Sequence, residues 1–376
     1  MKAKKYFFTL VFILPILALA QSKATVSIEN KSNLDFKEAV VSVKWDAIVS
    51  KYPQIDTTAF VVINDKTKKQ IPFQLEHRGL KAIQNLLLQV DVKANATLSI
   101  TIQKGKPEIA VVKTYGRYVP ERKDDFAWEN DRIAFRAYGK ALEKTKEDAY
   151  GLDVWVKRTN RMVLNERYKK GDYHIDHGDG MDYYHVGFSL GAGNMAPYVS
   201  DTIRYSGNYK QWKVLDNGPL RTTFQLTFDT WDASKTKVKA TKTISLDAGS
   251  QLNRIENVYS FDGDKPLAVV VGIIKRPETG IISLNEKQGI MSYWEPTHKE
   301  HGTTGVGSIL TSTVNAMLVN DKQILAKTEV KNNEPIIYYS GAAWDKAGKI
   351  ANSKQWDSYL QTFSQQIAAP LIITIK

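Results

Sequence analysis

The chain has 376 residues, no cysteine, 18 Tyr, 8 Trp and a formal net charge of +12. Without cysteine it has no disulfides, no thiolate metal sites and no cysteine nucleophile. A chain this long can bury a core that needs no covalent staples, even outside the cell.

Lys2, Lys4 and Lys5 precede an apolar run over 6–19 that only Thr9 and Pro15 interrupt, and Ala18-Leu19-Ala20 places small residues before Gln21. The pattern predicts a signal peptide over residues 1–20, cleaved near Ala20, and hence a periplasmic or secreted protein. A bilayer span needs about 20 apolar residues, so the run is too short for an anchor. With no cysteine at the cut, lipid anchoring is excluded. No later stretch is apolar enough to be a transmembrane segment. Loss of the three lysines takes the charge from +12 to +9. In an exported, aromatic-rich chain this basic balance points to an acidic oligo- or polysaccharide, or to a membrane surface, and away from nucleic acid.

Residues 24–110 read as a small β-sandwich, with strands expected over 25–29, 39–45, 59–64, 71–76, 86–92 and 97–103, several alternating apolar and polar. Gly105-Lys106-Pro107 then opens a linker expected to reach about Arg122. Residues 111–376 are again β-rich, with strands expected over 132–138, 152–158, 221–231, 237–246, 252–261, 267–275 and 336–340. Phe224, Leu226 and Phe228 alternate with Thr223, Gln225 and Thr227. So many strands predict stacked sheets or a barrel. The best helix candidate is 356–368, where Tyr359, Leu360, Phe363 and Ile367 recur at helical spacing.

The distinctive stretch is 171–185, Gly-Asp-Tyr-His-Ile-Asp-His-Gly-Asp-Gly-Met-Asp-Tyr-Tyr-His, which holds His174, His177 and His185. It is too polar for a core strand and too aromatic for an ordinary linker, and long loops of this kind carry function. His298 and His301 form a second cluster beside Trp294. Three readings stay open. His174, Asp176 and Asp179 could hold a divalent metal such as Ca, Mn or Zn, although the spacing matches neither a zinc motif nor an EF-hand. The histidines and tyrosines could be acid–base groups. Or the loop is a hydrogen-bonded structural lid. Gly191-Ala-Gly193 and Gly305-Val-Gly307 hint at nucleotide loops but lack the third glycine of a dinucleotide fingerprint. Glu129 is either a catalytic carboxylate or part of a strand start in which Asp131 and Arg132 pair.

The stretches Phe126-Ala-Trp-Glu-Asn-Asp-Arg-Ile and Asp247-Ala-Gly-Ser-Gln-Leu-Asn-Arg254 resemble segments of galactose-mutarotase-like supersandwich proteins. Together with Ile71-Pro-Phe-Gln, Asp179-Gly-Met-Asp-Tyr-Tyr, Asp216-Asn-Gly-Pro-Leu-Arg221 and Tyr339-Ser-Gly-Ala-Ala-Trp344, the layout resembles the secreted bacterial family called domain of unknown function 4861. The resemblance implies an all-β protein: an N-terminal β-sandwich followed by a larger β-supersandwich. It also implies a place in the degradation of uronate-rich polysaccharides.

A lyase acting by β-elimination is the leading expectation. Its base would be His177 or His185 and its acid Tyr183 or Tyr184, with Arg132 or Arg221 neutralising the substrate carboxylate. Asp182 is a further catalytic candidate, and Glu129, Trp294 and His298 are candidate substrate contacts. The alternatives are a glycoside hydrolase using Glu129 and Asp182, or a non-catalytic sugar binder or epimerase whose Trp and Tyr faces stack on sugars.

Overall fold

The computed structural model describes residues 22–376, so the expected signal peptide lies outside the described residues. The chain is mostly β, as expected, and forms five sheets. In the first sandwich, Lys23–Glu29, Thr97–Lys104 and Phe60–Asn64 share one sheet, and Phe36–Lys44, Asn85–Val92 and Phe73–Glu76 form the other. Alternation drives this packing: Ala24, Val26 and Ile28 point inward from the first strand and meet Val43, Leu86, Leu88, Ile100 and Ile102.

Three expectations change here. Trp45 opens a short helix, Trp45–Lys51, instead of ending a strand. The expected linker contains a strand, Thr114–Val119, paired with Asp125–Asn130. Gly116 masks that strand in the sequence. It is glycine because a Cβ there would stand 3.0 Å from Thr222 Oγ1 and 3.2 Å from Trp128 Cβ. Finally, the second unit does not run to the last residue, since Ile372–Ile375 returns to pair with Lys23–Glu29 in the first sandwich.

The larger unit is a two-layer supersandwich. Its main sheet has nine strands, among them Arg221–Thr227, Thr236–Asp247, Leu252–Phe261, Pro335–Trp344, Thr304–Leu310 and Ile290–Trp294. Two five-stranded sheets form the second layer. One runs from Thr114–Val119 through Asp125–Asn130, Ala134–Ala137 and Leu152–Lys157 to Gly180–Asp182. The other is built on Ala192–Val199, Leu267–Ile274 and Gln323–Val330. Phe126, Trp128, Phe135 and Val154 from the second layer meet Phe224, Ile244, Ile255, Val306 and Tyr338 in one core.

The helix Ser353–Ala368 is capped by Asn352, whose side chain accepts from Gln355 N at 3.1 Å. It lays Trp356 and Leu360 on Trp294, Ile309 and Ala343. Trp294 is therefore a core residue under a helix and is not available to a substrate. Gly305 and Gly307 have the same explanation: a Cβ on either would fall 2.5 Å from Trp294 or Leu360. They make room for the helix and do not form a nucleotide loop.

Arg132 and Arg221 join the two units. Arg132 Nη2 meets Glu38 Oε2 at 2.5 Å. Arg221 binds Asp247 through two hydrogen bonds of 2.5 and 2.8 Å, and also reaches Glu76 at 3.2 Å. With their guanidiniums taken up by these carboxylates, neither arginine is placed to neutralise a substrate, which corrects that expectation.

Lys242 lies between the layers, donating to Asn194 Oδ1 beside the Phe228 ring. Burial lowers its pKa to about 7. The folded state therefore binds this proton less tightly than the unfolded chain, and stability should rise as pH increases from about 7 towards 10.5. Asn194 Oδ1 also accepts from Met195 N, so it keeps a partner without the lysine. Lys242→Met is expected to stabilise the protein at pH 7 by on the order of 2 kcal/mol. The gain should shrink towards pH 10 in thermal denaturation at graded pH.

Candidate functional site

The short helix Leu164–Lys170 ends on Gly171, whose positive φ starts the loop. The loop returns as the strand Gly180–Asp182, which pairs with Leu152–Lys157. At Gly180 a Cβ would stand 2.1 Å from Val156 O, so only glycine fits this close return. Asp176 ties the bend together by accepting from Gly178 N at 2.8 Å and Gly180 N at 3.0 Å, and it pairs with Arg158. Burial pushes its carboxyl up, but these hydrogen bonds and Arg158 outweigh burial and hold it below the ordinary range.

The loop meets the second histidine cluster through Tyr183. The Tyr183 hydroxyl lies 2.6 Å from Thr304 Oγ1, and its ring centre is 5.3 Å from His301 and 6.1 Å from His298. The two imidazoles stack at 4.3 Å, nearly parallel. His298 Nδ1 accepts from Glu300 N and His301 N, both at 3.2 Å. Trp344 Nε1 donates to His301 O at 2.7 Å, and the Arg158 guanidinium sits 5.6 Å over the Trp344 ring. Arg276 donates to the His185 carbonyl at 2.5 Å and to Glu295 Oε1 at 2.6 Å, and it lies over the Tyr184 ring. The His185 side chain itself is exposed.

Burial shifts the titrating groups in different directions. Burial raises the Tyr183 phenol well above its ordinary value, so it holds its proton at neutral pH. Burial, then the neighbouring His298, holds the His301 imidazole below the ordinary histidine value, which favours its neutral form. Burial also pushes Glu295 up to about 7 despite Arg276.

Other expected site residues lie elsewhere. Glu129 is fully buried on Lys157, at 2.5 Å, and cannot touch a ligand. Tyr184 is buried under Arg276 and does not reach the surface. The Asp182 carboxylate turns inward to Arg136 at 3.0 Å. His177 stands apart on Asp172 at 2.8 Å. The expected metal ligands are dispersed: His174 Nδ1 lies on Asp182 O at 2.9 Å, Asp176 is on Arg158, and Asp179 is on Arg167 at 3.3 Å. Among the described residues no group of three His, Asp or Glu side chains is arranged around a common point for a metal ion, so the expected Ca, Mn or Zn does not fit there. Sequence reasoning missed Arg158, Arg276, Glu295, Thr304 and Trp344. Each stands within two residues of a strand end, and only Glu295 and Thr304 adjoin a histidine cluster in the sequence.

A family model described as Domain of unknown function (DUF4861) matches residues 28–373. "Uncharacterized protein P7" from Formosa agariphila is 35% identical over 312 residues, covering 77% of this chain and 78% of its own. A protein in the glycosyl hydrolase family 38 from Enterococcus faecalis superposes with a TM-score of 0.53 at 11% identity, over 95% of this chain and 48% of that one. An alpha-mannosidase from Enterococcus faecalis V583 gives 0.48 at 10% identity, over 96% and 47%. The chain thus spans about half the length of these solved structures, and the first likeness is one of fold.

Proposed function

We propose, from the premise that this chain belongs to the DUF4861 family, that it is an exported carbohydrate-active lyase cleaving uronate-containing glycans by β-elimination. The observation that carries the reading is Tyr183, a protonated phenol, set against the His301 imidazole, with the partly exposed Arg158 over the Trp344 ring that donates to the His301 carbonyl. In this scheme the His301 imidazole takes the proton from C5 of the uronate. The electron pair of that C–H bond forms the C4–C5 double bond as the C4–O bond breaks. Tyr183 gives its proton to the departing oxygen. Arg158, paired with Asp176 on one side but with a side chain 36% exposed, would stabilise the carbanion-like state beside the substrate carboxylate. The basic charge of the chain suits an anionic polymer. A fold shared with a protein of a glycosyl hydrolase family is compatible with a sugar substrate.

Hydrolysis is less well supported, because its two expected carboxylates, Glu129 and Asp182, are both buried in ion pairs. The test is incubation of purified protein with polygalacturonate and with glucuronan, with and without chelator. Growth of the ultraviolet absorbance of an unsaturated uronate is the expected result. New reducing ends without that absorbance would replace the lyase by a hydrolase, and neither signal would leave a sugar binder. Export is checked by N-terminal sequencing of the mature protein, expected to begin at Gln21.

A further inference from the structure

The helix Ser353–Ala368 packs Trp356 and Leu360 onto Trp294 and Ile309. The same helical face continues as Ser364 and Ile367. There the helix overhangs the strand ends and leaves an open groove of about 740 Å³. That volume falls in the range of small-molecule sites. Facing the helix, one wall is the turn 286–289 and the other is the segment 311–314, which follows the strand Thr304–Leu310.

Both walls are held in place. The Asn285 side chain accepts from Gln288 N at 3.1 Å and donates to Gln288 Oε1 at 2.8 Å, and Leu310 N donates to Gly289 O at 2.9 Å. Thr311 Oγ1 donates to Ile337 O at 2.7 Å, and Ser312 Oγ lies 3.2 Å from Thr328 Oγ1. The groove is therefore preformed, and no part of the chain has to move for a ligand to enter.

Its floor is aliphatic, made by Ile309, Leu310, Val314 and Ile367. On its rim the Thr313 and Ser364 hydroxyls, the Gln288 amide N–H groups and the Lys287 ammonium make no hydrogen bond to a described group. Glu286 Oε1 accepts from Met317 N at 2.9 Å. Ile367 and Ala368, which also face the groove, belong to the last turn of the helix, whose carbonyls find no N–H inside it.

Charge selects the ligand class. Glu286 and Lys287 cancel, and the helix carbonyls carry the negative end of its dipole, so a carboxylate meets no net positive potential here. A hydroxyl can donate to the carbonyls and accept from Gln288 and Lys287. A sugar ring, with C–H faces and a hydroxyl edge, matches an aliphatic floor with such a rim. The groove is remote from Tyr183. Thr304, which meets the Tyr183 hydroxyl, starts the strand that Leu310 ends, and six residues of strand span roughly 20 Å.

We infer that this groove is a second binding site, for a neutral oligosaccharide segment. It is distinct from the Tyr183 surface and does not depend on elimination occurring there.

The test is hydrogen exchange on the whole protein, titrated separately with cellotetraose, mannotetraose, β-1,4-galactotetraose and tetragalacturonate. The expected result is saturable slowing over 286–289, 309–314 and 364–368 by at least one of the neutral sugars, and none there with tetragalacturonate. Ser364→Trp puts an indole into the groove and should raise the half-saturating concentration about tenfold or more. Thr313→Trp, which fills the groove from the opposite wall, should act similarly, and neither change should move Tm. Three results overturn the proposal: no saturable slowing in these segments with any neutral sugar, slowing there by tetragalacturonate as strong as by the neutral sugars, or unchanged half-saturation in both variants. Tyr183→Phe should leave the slowing unchanged, so failure of the elimination scheme and failure of this site read out separately.

Discussion

Glu129→Ala is expected to destabilise the protein by about 3–5 kcal/mol, the cost of stranding one partner of a buried ion pair. Glu129 and Lys157 meet at 2.5 Å and both side chains are essentially inaccessible to solvent. Lys157 also donates to Asn130 O and Arg161 O, both at 2.7 Å. The other carboxylate oxygen, Oε1, accepts from Val163 N and Leu164 N at 2.8 Å, the first N–H groups of the helix that covers the outer face of the sheet. Truncation thus removes a counter-ion and a helix cap at once. Burial already pushes the Lys157 ammonium down, and without Glu129 it should lose its proton more readily. Calorimetric unfolding is the measurement. A variant that keeps its Tm but loses activity would put Glu129 at the chemical site after all. Glu129→Ala combined with Lys157→Met should recover part of the loss, because no buried charge is then left alone.

Tyr183→Phe should lower kcat on a uronate polymer by about 10²–10⁴-fold, the usual worth of a positioned proton donor. The ring remains, and only the hydroxyl that meets Thr304 Oγ1 is lost, so Tm should move little. His301→Ala should cause a loss of the same order. His177→Ala should not, because His177 is held on Asp172 away from Tyr183. The pH profile gives an independent check. Activity needs a neutral His301, which burial and His298 hold below the ordinary histidine value. The rising limb should therefore lie below pH 6.5. Activity also needs a protonated Tyr183, which burial raises, so the falling limb should lie above the ordinary tyrosine range. A profile that rises only above pH 7 would remove His301 as the base.

The first sandwich was legible because its strands obey a simple rule: one face wet, one face dry, as in Lys23–Glu29. Thr114–Val119 was not, because Gly116 reads as a breaker until Trp128 is seen packed behind it. The contact between the loop and the second histidine cluster runs through Tyr183, while His177 is held on Asp172. The roles of individual charged residues were not legible. Glu129, Arg132 and Arg221 look like catalytic residues in the sequence, yet each spends its charge on a partner distant along the chain: Lys157, Glu38, and Glu76 with Asp247. Charge pairing of this kind is set by tertiary contact, which no local pattern encodes. Arg136 was overlooked for the same reason, since a lone arginine in a strand gives no sign that three aspartates converge on it.

The return of Ile372–Ile375 to the first strand has a consequence for the order of assembly. Ile28 pairs with Ile373, so this edge of the first sandwich stays open until almost the whole chain has been synthesised. Closing a loop of that length costs on the order of 5 kcal/mol of chain entropy if the intervening residues are still disordered. The cost falls sharply once the supersandwich has folded and brought the two ends near each other. Assembly is thus expected to run from the middle outward, with the N-terminal sandwich completed last. Until then Lys23–Glu29 presents an unpaired edge to any other extended strand, which makes the last stage the one most exposed to mispairing between chains.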